Sequence, residues 1–131
     1  MGCTGRSPGP FEVWLAHRSL ATLAVRLERQ TANAAALCAL LGDREDVTGV
    51  RYPGLGTLVC FELADGPAAN RFLGALDLVG EATSFGGVHS SAERRGRWGT
   101  DAVGEGFIRF SAGIEDAEDL LADVAAALDR V

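Results

Sequence analysis

The sequence predicts an α+β domain, an antiparallel sheet of about four strands with helices packed on one side. Apolar residues recur at helical spacing at both ends of the chain and once near its middle, and short β-branched or aromatic runs lie between these segments. Glycine and proline mark the joins. The resulting order is a helical region, two strands, a helix, two more strands and a final helix, with no internal repeat. Its 131 residues suit one domain, and residues 1–9 are expected to be an irregular start to a domain spanning 10–131.

The helical region opens at Pro10, where a missing N–H is tolerated, and carries Phe11, Trp14, Leu15, Leu20, Leu23, Leu27, Ala34, Leu37, Cys38 and Leu41 at helical spacing. Its length predicts a break around Ser19–Thr22, and Gly42 is the expected left-handed cap at its end. Val47–Tyr52 and Thr57–Leu63 read as a hairpin closed by Pro53, Gly54, Leu55 and Gly56. Pro67 can start a helix that turns Ala68, Phe72, Leu73 and Leu76 toward a core. Leu78–Thr83 reads as a short strand. Phe107–Ala112 alternates, with Ile108, Phe110 and Ala112 on a buried face and Phe107, Arg109 and Ser111 on the other. In the last helix, Leu120, Leu121, Val124 and Leu128 form an apolar stripe. Glu115, Asp116 and Glu118 at its start suit capping, solvation and the positive end of the helix dipole.

Composition removes several function classes. The chain has no lysine, so chemistry that needs an amine nucleophile or a Schiff base is excluded for these residues. All 12 basic residues are arginines, whose rigid fork of donors suits planar anions rather than proton transfer. A net charge of −6 argues against nucleic acid, whose affinity rests on phosphate neutralisation. No apolar stretch has the length of a membrane span or signal core, so a cytoplasmic location is expected. Cys3, Cys38, Cys60, His17 and His89 lack metal-ligand spacing. Cys38 and Cys60 read as small buried hydrophobes and Cys3 as exposed.

The segment Thr83–Ser91 carries the most functional information. Its glycine pair, Gly86 and Gly87, is either a turn or a place where backbone approaches a ligand, and Ser84 with nearby amides can donate to an anion. Arg109 is either solvated on its strand or aimed at this loop, where the pair would form a carboxylate receptor. The run Glu93, Arg94, Arg95, Arg97 and Trp98 reads as a surface loop packed through Trp98. His89 has no carboxylate placed to orient it, which argues against nucleophilic catalysis.

Four ordered stretches resemble the C-terminal domain of the cystathionine γ-lyase, cystathionine γ-synthase and methionine γ-lyase family of pyridoxal phosphate enzymes. They are Gly9–Leu15 with Arg18 and Thr22–Arg26, Val50–Leu55, Ser84–Val88, and Gly106–Asp116. The resemblance implies the small domain of a type I pyridoxal phosphate enzyme, with Ser84 and Arg109 binding the substrate α-carboxylate. Residues 10–131 then form a substrate-carboxylate-binding domain, and the parent reaction is β or γ elimination or replacement on a sulfur amino acid. The large domain that holds the cofactor and its lysine in the family is not among these residues, so no catalytic residue and no covalently bound cofactor are expected here, and the chain alone is expected to be inactive. Three further departures stand out: Leu55 runs directly into Gly56 where the family has a helical insertion, Thr83 stands where relatives often have glutamate, and Met1–Ser7 matches poorly. The implied partners are an amino-acid carboxylate and a separate large domain; without that domain, the face carrying Phe11 and Trp14 is expected to stay exposed and the chain to self-associate. A ligand-binding or interaction domain that retained the fold, or one half of a split enzyme, is the alternative.

Overall fold

A computed structural model describes residues 7–131. Helix α1 (Pro10–Leu20) and helix α2 (Leu23–Gly42) open the chain and are separated by Ala21 and Thr22, at the expected break. There the Thr22 N–H and hydroxyl and the Arg26 guanidinium all donate to the Ser19 carbonyl. One orphan carbonyl at the end of α1 is thereby satisfied without the helix continuing. Gly42 does not form the expected left-handed cap, because it is absent from the positive-φ glycines and is the last residue of α2. The helix ends instead through Asp43 in a right-handed turn, its N–H shared between the Ala39 and Leu41 carbonyls.

Strands β1 (Thr48–Arg51) and β2 (Leu58–Glu62) form the antiparallel hairpin, with a register shift within β1. Helix α3 (Gly66–Ala75) is capped by Asp65, whose carboxylate accepts from the Ala68 N–H at 2.7 Å. Then come β3 (Gly80–Glu81), β4 (Ser91–Arg94), a 3₁₀ turn at Arg95–Trp98, β5 (Phe107–Ser111) and helix α4 (Ala117–Leu128). The strand read at Leu78–Thr83 thus shrinks to two residues, and Ser91–Arg94, read as loop, is a strand.

The five strands run in the order β1-β2-β5-β4-β3, antiparallel except for the parallel pair β3–β4. Leu37 and Leu41 of α2, Phe72 of α3 and Leu120, Val124 and Leu128 of α4 share one core with Val59, Phe61, Ala92, Ile108 and Phe110 of the sheet. Phe61 and Phe72 meet edge to face, centroids 5.7 Å apart. As the middle strand, β5 is covered on both sides: Phe107 and Ser111 on its second face are buried too, which the alternation alone did not predict. No helix among the described residues is long and apolar enough to cross a membrane.

Candidate functional site

Because Ile108 and Phe110 point into the core, the two-residue period of a strand sends Arg109 to the opposite face of the sheet. Pairing then builds a row across it, with Arg109 in register with Cys60 of β2 on one side and Glu93 of β4 on the other. Arg109 Nη2 is ion-paired with Glu93 Oε1 and also donates to the carbonyl of Thr83. Its guanidinium lies 5.2 Å from the centroid of the Phe85 ring. Both neighbours of Ser84 are therefore held by Arg109. Ser84 is exposed, its carbonyl accepts from Ser91 Oγ at 2.9 Å, and its hydroxyl has no hydrogen bond to the described residues.

The loop beyond Ser84 is fastened at several points. Gly86 has φ 74°, a conformation that favours glycine, and its N–H donates to Ser111 Oγ at 2.9 Å. Gln30 Nε2 donates to the Gly87 carbonyl at 2.6 Å, and the Ile114 N–H to the Val88 carbonyl at 2.9 Å. Glu115, read from the sequence as part of a solvated capping run, accepts instead from the Ser90 N–H and hydroxyl, while Asp116 caps α4 by accepting from the Glu118 N–H. The glycine pair works here as a turn held by side chains of α2 and β5. Next to it, Arg18, Ser19, Ala21, Thr22, Arg26, Gly87 and Val88 line a cavity of about 570 Å³.

One site residue escaped the sequence reading. Glu93 is fully buried, and Arg95 Nη1 at 3.2 Å, Arg97 Nη2 at 3.8 Å and Trp98 Nε1 at 3.2 Å reach its carboxylate beside Arg109. The run 93–98 is thus no loop packed through Trp98 but the end of β4 and a 3₁₀ turn, with Trp98 half exposed and its indole N–H on Glu93. The charge alternation Glu-Arg-Arg was visible, but only the pairing of β4 with β5 shows that its acid faces Arg109.

Cys38 and Cys60 are free thiols and only half buried, more open than a core hydrophobe. Burial pushes the Cys60 thiol up, against the opposing pull of Arg109 and Arg51. His89 is exposed, and Cys3 lies outside the described residues. Among those residues no three His, Cys, Asp or Glu side chains cluster as a metal site would require.

A family model described as Cys/Met metabolism PLP-dependent enzyme matches residues 2–129. A Streptomyces coelicolor protein named "Putative cystathionine gamma-lyase" is 52% identical over 142 residues, covering 96% of this chain and 36% of that protein. The cystathionine gamma-synthase/O-acetylhomoserine (thiol)-lyase of Bacillus subtilis is 37% identical, with 93% and 35% covered. Among solved structures, metB from Corynebacterium glutamicum superimposes with a TM-score of 0.89 at 34% identity, over 95% of this chain and 39% of that one. The chain spans little more than a third of the length of these relatives. The match to the L-methionine gamma-lyase of Pseudomonas putida runs over 155 residues, more than the 131 of the chain, so that relative carries insertions within the matched span.

Proposed function

Because the chain belongs to the family of Cys/Met metabolism PLP-dependent enzymes, we propose that it supplies such an enzyme with the receptor for the substrate α-carboxylate, formed by Arg109 and Ser84. One observation supports this most: Arg109 contacts both residues that flank Ser84, whose own hydroxyl is exposed and engaged by no described residue. A guanidinium donates to both oxygens of a carboxylate, and a hydroxyl adds a third donor. The partial burial of Arg109, 20% exposed at its side chain, limits screening by water. The arrangement orients an anion and moves no proton, since arginine keeps its charge at any accessible pH.

The residues present do not fit covalent attachment of pyridoxal phosphate. The sequence offers no lysine, and no side chain of the site carries an amine. In this reading the reactive amine comes from outside these 131 residues, in an enzyme that acts on a sulfur amino acid by elimination or replacement in the cytoplasm. Calorimetric titration with L-methionine tests the receptor: the chain should bind it and Arg109→Ala should abolish the heat. A chain that releases no heat, or a variant that binds equally well, would sink the proposal.

A further inference from the structure

Glu93 is fully buried, and a carboxylate removed from water is costly unless charged partners surround it. Its two oxygens divide them: Oε1 takes Arg109 and Arg95, and Oε2 takes the Trp98 indole N–H and Arg97. The three arginines are not equivalent. Arg95 is also paired with Asp101, and Arg97 with Glu81. Among the described residues Glu93 is the one carboxylate paired with Arg109, whose other contacts, the Thr83 carbonyl and the Phe85 ring, carry no charge.

From this asymmetry we infer that Glu93 is the positioning residue of the Arg109 site, an inference that rests on the carboxylate-receptor reading above. Arg109 Nη2 donates to the Thr83 carbonyl and is ion-paired with Glu93, so this end of the guanidinium faces inward. Nη1 and Nε donate to no described residue, so of the five N–H groups of a guanidinium three remain for a ligand. Glu93 thereby fixes which edge of the fork faces outward, while the Phe85 ring covers one of its faces. Arg95 and Arg97 hold Glu93 from the 3₁₀ turn, each braced by its own second acid. The residues from Arg95 to Trp98 thus reach the ligand site without touching the ligand.

The test compares Glu93→Ala and Glu93→Gln with the parent chain. Side-chain nitrogen NMR should show hindered rotation of the Arg109 guanidinium in the parent and free rotation in Glu93→Ala. Recovery of hindrance is expected in Glu93→Gln, whose carbonyl oxygen still accepts. Affinity for L-methionine should fall about tenfold in Glu93→Ala, because the ligand itself must then order a long side chain. Hindered rotation that persists in Glu93→Ala, or methionine binding there as tight as in the parent, overturns the inference. Should Glu93→Ala fail to fold, a freely rotating Arg109 in the parent chain overturns it equally. A parent chain with a locked Arg109 that does not bind methionine refutes the carboxylate receptor instead, so the two failures are separable.

Discussion

Glu93 acts through the strand it faces, a dependence that none of its sequence neighbours encodes, whereas Ser84 and Arg109 each stand in a short stretch of distinctive order. Local charge was a poor guide in both directions. Glu115 has the sequence context of one more acid at a helix start and instead clamps Ser90, while Arg44, in a turn of no distinctive sequence, ties two helix ends together. Arg44 is bidentate to Asp46 at 2.8 and 2.7 Å and reaches Asp129 at 2.6 Å, joining the end of α2 to the end of α4. The Arg44 hydrogen bonds hold the Asp46 carboxyl below its usual range, against the opposing effect of burial. A carboxylate lowered in the folded state adds stability that is fully present above its unfolded value, about 3.9 for Asp. That stability is lost as pH falls through the folded value. Asp46→Asn should therefore lower Tm at neutral pH, and its difference from the parent should close as the solution is acidified. Thermal unfolding followed by circular dichroism from neutral to strongly acid pH checks this, and a gap that does not change with pH would contradict it.

Among the elements, helices and the hairpin were legible because their signals are local: apolar spacing, Pro10 at a helix start, Pro53–Gly56 between two strands. Strand β4 was not legible. Ser91–Arg94 contains no β-branched or aromatic residue, and it becomes a strand because β5 pairs with its full length. The same dependence on distant backbone governs the loop between β3 and β4, which is docked on the end of β5. There Gly113 lies so close to the loop that a Cβ would fall 2.6 Å from the Ser90 nitrogen and against the Val88 carbonyl. Both are backbone atoms, the Val88 carbonyl held by the Ile114 N–H and the Ser90 N–H by the Glu115 carboxylate, so they cannot yield cheaply. Gly113→Ala is expected to cost about 1–3 kcal/mol, the range for overpacking a closed contact. It should also weaken methionine binding by displacing the Ser84–Val88 segment. Thermal unfolding with calorimetry measures both, and a variant as stable as the parent would show that the loop moves freely away from β5.

For the whole molecule, the apolar surface is distributed unevenly. The core takes residues from α2, α3, α4 and all but the outermost strands, yet α1 buries none of its side chains. Its apolar spacing correctly marked a helix, but spacing alone does not say what a helix packs against. Phe11 is 65% exposed and Trp14 57%, and their rings stack on one another at 6.1 Å between centroids instead of on the domain. Val13, Leu15, Leu20 and Leu23 continue the exposed surface toward α2. An apolar patch of this kind on an isolated chain favours association, because hiding it from water is worth about 25 cal/mol per Å². The net charge of −6 opposes association only weakly at moderate salt, where charges are screened beyond about 8–10 Å. The chain should therefore self-associate as its concentration rises, and more so when salt is added. Light scattering of the parent and of Phe11→Ser/Trp14→Ser separates the contributions: the double variant should stay monomeric under conditions in which the parent does not. A parent chain that remains monomeric at every concentration and salt level would mean that α1 folds back and covers its own apolar residues in solution.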